Sequence, residues 1–277
     1  MENSHLVVDE NIIYKKVEEL EKLLEKMEKV CVAFSAGVDS TFLLAAAKEV
    51  LGDNVMAITA VLHSYPKREL KQAVHFLEEN QIRYALVEVN ELNIPEFTKN
   101  PIDRCYYCKK KIFKNILKVA EDNDIKYILD GSNISDTKQY RPGVKALEEL
   151  EIISPLKEVG LTKDEIRFLS KKMGLKTWDK PAYSCLATRL EHNNDITLDK
   201  LNMVEKSENV LFDLGFKTVR VRVHNELARI ELGKDEIEKL IDLDVRERVY
   251  TSLKDIGFKY VTIDMLGYKT GSMSISE

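Results

Sequence analysis

The chain alternates amphipathic stretches with short apolar runs. Ile12, Ile13, Val17, Leu20, Leu23, Leu24 and Met27 recur at helical spacing among Glu and Lys, which predicts a helix over 11–29. Residues 30–34 form an apolar run with β-branched side chains, the pattern of a buried strand. A polar, glycine-containing turn at 35–40 leads into a helical pattern over 41–51. The alternation continues with a strand at 55–62, a helix at 67–80, a strand at 84–89, a helix at 109–123 and a strand at 127–130. Strands separated by helices of this length predict an α/β fold, a parallel sheet with helices on both faces. Such sheets bind ligands at the carboxyl ends of their strands.

The pattern then changes. Residues 177–195 lack periodicity and hold Trp178, Pro181 and Cys185, which reads as an ordered functional loop or linker. Beyond it come a helix at 198–214, strands at 217–223 and 227–232 around a turn at Asn225, a helix at 234–256 and a strand at 259–264. This α-β-β-α-β order predicts a smaller C-terminal α+β domain. The expected organisation is a first domain over 1–176, a loop over 177–196 and a second domain over 197–277.

Composition narrows the function classes. With 277 residues and 44% hydrophobic positions the chain can bury a sizeable core, and with 11 Gly and 6 Pro it is not a low-complexity sequence. No apolar run approaches the roughly 18 residues of a membrane span. Glu2, Asp9 and Glu10 without a basic cluster do not resemble a signal peptide, so a cytoplasmic protein is expected. A net charge of −5 argues against a dedicated nucleic-acid binder. Four cysteines are too few for a disulfide scaffold in a chain this long.

The first candidate site is Ser35-Ala36-Gly37-Val38-Asp39-Ser40-Thr41, between a strand and a helix. Backbone N–H groups of such a turn converge on an anion, and the helix N-terminus adds its positive dipole end. The stretch has neither the lysine nor the spacing of a Walker motif. A second candidate is Asp130-Gly131-Ser132-Asn133 at a strand end, with Asp136 following.

Cys105-Tyr106-Tyr107-Cys108 is a C-x-x-C. It can be a redox pair, half a zinc site, part of an iron–sulfur site or a pair of unligated structural thiols. The thioredoxin-like context of a redox pair is absent. Cys185 is the plausible third thiolate, and His192 a fourth ligand if the metal is zinc. Three thiolates with one open position suit a [4Fe–4S] cluster. Cys31 lies inside the first strand, where a buried thiol is ordinary. Arg220 and Arg222 alternate on a strand and so share one face.

The stretch Ser35–Ser40 resembles the Ser-Gly-Gly-x-Asp-Ser signature of the PP-loop ATP pyrophosphatases. It departs at Ala36, which is unstrained if φ there is negative and costs about 1 kcal/mol or more if φ is positive. Lys180-Pro181-Ala182-Tyr183-Ser184-Cys185-Leu186-Ala187-Thr188-Arg189 resembles the corresponding stretch of the LarE branch of that superfamily. So do Arg104-Cys105-Tyr106-Tyr107-Cys108-Lys109, Tyr140-Arg141-Pro142-Gly143 with Ser154-Pro155-Leu156, Arg220-x-Arg222-x-His224 with Ala228-Arg229-Ile230-Glu231, and Gly267-Tyr268 with Gly271-Ser272. The combination spans residues 30–272.

The resemblance implies an ATP-dependent, AMP-forming sulfur transferase. It would adenylate the carboxylates of pyridinium-3,5-biscarboxylic acid mononucleotide and convert them to thiocarboxylates, a step of nickel-pincer nucleotide biosynthesis. By resemblance, Ser35, Ala36, Gly37, Val38, Asp39, Ser40, Gly131 and Asn133 would bind ATP, and Asp39 would place Mg²⁺. Arg189, Arg220, Arg222 and Asp136 would hold the mononucleotide. Cys105, Cys108 and Cys185 would ligate a [4Fe–4S] cluster that delivers sulfide. In another subgroup of the branch the position of Cys185 is a sacrificial sulfur donor. A sulfide donor and a ring-like homo-oligomer are also implied. The competing readings are a tRNA thiolase of the same superfamily, an ATP-dependent amidotransferase of the NAD or GMP synthetase kind, and a non-enzymatic zinc- and nucleotide-binding sensor.

Overall fold

The computed structural model describes residues 10–138, 142–181 and 184–269. In chain order the elements are α1 (Glu10–Met27), β1 (Val30–Ala33), α2 (Val38–Leu51), β2 (Val55–Val61), α3 (Lys67–Glu79), β3 (Arg83–Glu88), α4 (Pro95–Thr98) and α5 (Arg104–Glu121). They continue with β4 (Tyr127–Leu129), α6 (Pro142–Glu149), α7 (Pro155–Glu158), α8 (Lys163–Lys172), α9 (Leu198–Asp213), β5 (Val219–His224), β6 (Leu227–Leu232), α10 (Leu243–Ile256) and β7 (Tyr260–Ile263). The chain divides into two compact units. The first takes the described residues among 1–62, 67–89 and 105–183, and the second those among 63–66, 90–104 and 184–277.

In the first unit four parallel strands stand in the order β3-β2-β1-β4. Leu129 also bridges in parallel to Ile153. Side chains alternate between faces along a strand, and both faces of β1 and of most of β2 are buried. Val30, Val32, Val55 and Ala57 pack with Leu20 and Leu24 of α1, Phe42 and Leu43 of α2, and Ile166 and Leu169 of α8. Cys31, Met56 and Ile58 face the other way, against Phe113 and Ile116 of α5 and Leu147 of α6. The α/β class read from the pattern is the observed one.

Some boundaries differ. α2 begins at Val38, so Asp39 and Ser40 lie in its first turn instead of in the preceding loop. α5 begins at Arg104, so the C-x-x-C is helical. The helix expected over 234–256 is broken at Asp242, whose side chain caps α10 by accepting from Val245 N–H at 3.0 Å. α8 is an element that periodicity does not reveal, although Thr162 and Glu165 form a capping box at its start.

In the second unit β5 and β6 form an antiparallel hairpin around Asn225, which has a φ of 54°, and β7 pairs in parallel with β6. Val204 and Leu211 of α9 and Val249 and Leu253 of α10 are buried in this unit. Among the described residues, no helix is long and apolar enough to cross a membrane.

Candidate active site

The carboxyl ends of β1 and β4 bring the first two sequence motifs together. Phe34 N–H is held by Ile58 O at 2.9 Å, and the Thr59 hydroxyl donates to Phe34 O at 2.9 Å, which fixes where the chain leaves β1. Gly37 is the N-cap residue of α2 and offers no side-chain cap, so the first N–H groups of the helix are left for a ligand. Ser35 and Ser40 hydroxyls lie 3.2 Å apart, and Ser40 also donates to Gly37 O.

Gly131 is needed for this convergence. A Cβ on it would lie 2.9 Å from Ser40 N and 3.2 Å from the Asp39 carbonyl carbon, so only glycine lets the second loop reach α2. Beyond it, Asn133 Nδ2 donates to Asp39 Oδ1 at 3.2 Å, and Lys163 Nζ pairs with Asp39 Oδ2. Asn133 N–H in turn donates to Asp136 Oδ2 at 3.1 Å, and Ser132 and Ser154 hydroxyls both donate to the buried Asp130. Ser132, Asn133, Asp136 and Lys157 also line a cavity of about 570 Å³.

Lys163 belongs to none of the sequence motifs. It is the first residue of α8, and the capping box is the signal that could have placed it. The sequence marks Lys180 only as a neighbour of Cys185. Its ammonium lies 2.6 Å from the buried Glu69 and donates to Ala36 O at 3.1 Å, so it braces the phosphate loop.

Ala36 has a φ of 50°, the left-handed region, and its methyl is buried. Of the two conformations open to it in the sequence, the strained one is therefore adopted. Left-handed backbone costs an L-residue roughly 1–2 kcal/mol, against roughly 0.8 kcal/mol for burying a methyl group. Ala36→Gly should raise stability by up to about 1 kcal/mol, or about 2–3 °C in Tm. Thermal unfolding checks this, and a lower Tm for Ala36→Gly would show that the buried methyl outweighs the strain.

The second unit holds the arginines. Arg189 is fully buried, its guanidinium bidentate on Glu208 at 2.8 and 2.9 Å. Its Nη1 also donates to the carbonyls of Ser184 at 2.7 Å and Cys185 at 3.1 Å. Arg220 and Arg222 lie on one face of β5, as alternation predicts, but that face is buried. Arg222 pairs with Glu231 at 2.8 Å and donates to Thr188 O at 2.9 Å, which ties β5 to the Leu186–Arg189 turn. The Arg220 guanidinium stacks over Tyr268 at 4.9 Å. His224 is paired with Glu191 at 2.6 Å.

The cysteines fall in both units. Cys105 is exposed and Cys108 half-buried, one helical turn apart on α5 in the first unit. Cys185, half-buried, precedes the Leu186–Arg189 turn in the second. None of the four forms a disulfide. Burial pushes the Cys31 thiol up to about 12, so it stays protonated and is unsuited to ligation. The other three fit thiolate ligation chemically. Among the described residues, however, no group of three or more His, Cys, Asp or Glu is gathered into a metal site. His192 is held below the usual histidine range by burial and by Arg104, whose Nη1 lies 2.9 Å from His192 Nδ1. Tyr140, Arg141, Ala182, Tyr183, Gly271 and Ser272 of the motifs lie outside the described residues.

Comparisons with known proteins extend over nearly the whole chain. No family model matches it. An uncharacterized protein of Synechocystis is 39% identical over 260 residues, 94% of this chain and 97% of that protein. The pyridinium-3,5-bisthiocarboxylic acid mononucleotide synthase of Lactiplantibacillus plantarum is 35% identical over 252 residues, 91% of each chain. A glutamine-hydrolyzing GMP synthase component of Thermoplasma acidophilum is 25% identical over 209 residues, 69% of this chain and 66% of that protein. A phosphate loop closed by a second glycine loop, with near full-length similarity to the synthase, places this chain in the LarE family of PP-loop enzymes, the ATP-dependent sulfur transferases.

Proposed function

We propose that the chain converts the carboxylates of pyridinium-3,5-biscarboxylic acid mononucleotide to thiocarboxylates, working in the cytoplasm as a homo-oligomer. The reading is carried by the Asp39–Asn133–Lys163 cluster at the junction of the two loops, in a chain that matches the synthase along 91% of its length.

The chemistry needs two displacements. A carboxylate is a poor acyl donor because oxide is a poor leaving group. A carboxylate oxygen of the acceptor attacks the α-phosphorus of ATP, the bond to the β-phosphate bridge breaks, and pyrophosphate leaves. The backbone N–H groups of Gly37, Val38 and Asp39 and the hydroxyls of Ser35 and Ser40 hold the phosphates. Asp39, which Asn133 orients, would hold Mg²⁺, and the metal would supply positive charge to the phosphates. The Lys163 ammonium is in reach of the same carboxylate. A sulfur nucleophile then attacks the acyl carbon of the adenylate, and AMP leaves with the electron pair of the broken C–O bond.

Asp136, Arg220 and Arg222 bind the acceptor, the two arginines toward its phosphate, for which planar guanidinium donors are well suited. Arg189, expected at the acceptor, is fully buried and acts instead through the turn that it holds, since its guanidinium already spans Glu208 and the Ser184 and Cys185 carbonyls. Cys105, Cys108 and Cys185 would hold a [4Fe–4S] cluster, which supplies sulfide at an open iron when bound. The first unit carries the ATP chemistry and Asp136, and the second carries the arginines and self-association.

Protein purified without oxygen should contain about four iron and four acid-labile sulfide per chain. Given ATP, Mg²⁺, sulfide and the biscarboxylate mononucleotide, it should form AMP, pyrophosphate and a thiocarboxylate seen by mass spectrometry. Pyrophosphate release with no thiocarboxylate would overturn the sulfur-transfer reading. Thiocarboxylate formation by iron-free protein would overturn the cluster and return Cys185 to the role of sacrificial donor.

A further inference from the structure

Glu91 belongs to none of the motifs above, yet it is a fully buried carboxylate. It opens the single turn Glu91–Asn93, which Asn90 caps by accepting from Leu92 N–H at 3.1 Å. Its two oxygens turn onto the segment that follows β2. Oε1 accepts from Ser64 N–H at 2.6 Å and Oε2 from His63 N–H at 3.3 Å, and His63 Nδ1 lies 3.5 Å from Oε2. Burying a carboxylate is costly unless donors such as these surround it.

The segment passes this fixation on. Ser64 O accepts from Leu186 N–H at 2.8 Å, and Leu186 directly follows Cys185. The Ser64 hydroxyl is buried and makes no hydrogen bond among the described residues, so Ser64 acts here through its peptide groups. All of these residues lie in the second unit. Cys185 is thus bracketed. Arg189 holds its carbonyl from one side, and the Glu91–Ser64 relay holds the next peptide N–H from the other.

We infer that Glu91 is a positioning residue for Cys185, fixing through Ser64 the direction in which the turn presents the thiol. The inference rests on the assignment of sulfur handling to Cys185. Glu91 does not touch the reacting atoms. Its effect is on the geometry of sulfur delivery and not on ATP activation, because among the described residues none of its bonds reaches the Asp39 cluster.

The test compares the full-length wild type with Glu91→Gln and Glu91→Ala, purified without oxygen. Alanine removes both acceptor oxygens. Glutamine keeps one neutral acceptor for Ser64 N–H, which binds about half as strongly. Alkylation of Cys185 by iodoacetamide, followed by peptide mass spectrometry, should be about tenfold faster in Glu91→Ala and about two- to threefold faster in Glu91→Gln. The kcat for thiocarboxylate formation should fall in the same order, while the KM for ATP in pyrophosphate release stays unchanged. Cys31 is fully buried and must stay unalkylated, which reports that the variant is folded. If Glu91→Ala exposes Cys31, Glu91→Gln decides alone. Wild-type values in Glu91→Gln on both readouts would overturn the inference, as would wild-type values in folded Glu91→Ala. Thiocarboxylate formation at the wild-type rate by Cys185→Ala would remove the sulfur assignment instead, and the alkylation rates would still report whether Glu91 holds the turn.

Discussion

Asparagine at position 39 should lower ATP-dependent pyrophosphate release by about 10²–10³-fold and leave the protein folded. The substitution removes one negative charge and little else. Asn133 Nδ2 can still donate to the amide oxygen, at the place where it now meets Asp39 Oδ1. Lys163 loses its partner, but both side chains keep some contact with solvent, at 30% and 21% exposure. A partly exposed pair contributes up to about 1 kcal/mol. A carboxylate in the first turn of a helix adds at most about 1 kcal/mol more. The expected stability loss is therefore small beside the loss of the carboxylate on which the proposed ATP site depends. Pyrophosphate assays on the variant, with thermal unfolding as the fold control, check both parts. Normal release by Asp39→Asn would remove Asp39 from the ATP site.

The uneven legibility of this protein has physical causes. The sheet of the first unit was readable because β1 and β2 are buried on both faces and so appear as short apolar runs. Residues 30–33 send Val30 and Val32 to one core and Cys31 to the other, and nothing polar interrupts them. The Ser35–Ser40 turn between β1 and α2 was readable because it is local, with all its polar groups within six residues. Its closure was not. Lys163 meets Asp39 from 124 residues away, and no periodicity reports a tertiary ion pair. The start of α5 was missed because Cys-Tyr-Tyr-Cys has no apolar stripe, although its helical placement sets the two thiols one turn apart.

The arginines show a different limit. Alternation on β5 correctly put Arg220 and Arg222 on one face, but alternation cannot say whether that face is wet. The face is buried because Glu231, opposite on β6, and the Thr188 carbonyl supply acceptors. Glu208 looks in the sequence like any other acidic residue on a helix, and Glu231 stands out there only as the end of the Ala228–Glu231 motif, with no sign of its charge partner. Only their burial marks them as counter-charges.

Replacing Cys185 with alanine should abolish thiocarboxylate formation while ATP-dependent pyrophosphate release persists as a burst that then stalls. The turn itself should survive the change. Cys185 has φ −48° and ψ 140°, which alanine adopts without strain. The backbone carbonyl of this position anchors the turn: it accepts from Thr188 N–H at 2.9 Å, from the Thr188 hydroxyl at 2.8 Å and from Arg189. The Asp39 cluster belongs to the first unit and shares none of these bonds, so adenylation should proceed. Without sulfur to displace AMP, the acyl adenylate has no productive exit, and turnover is limited by its slow loss to water. Loss of activity alone fits either role of the thiol, so the wild type supplies the second reading. A sacrificial donor loses the elements of H₂S at Cys185 after one turnover and leaves dehydroalanine, whereas a ligand keeps its mass through many turnovers. Peptide mass spectrometry of the wild type before and after reaction separates the two. Sustained thiocarboxylate formation by Cys185→Ala would exclude both and move sulfur handling away from this turn.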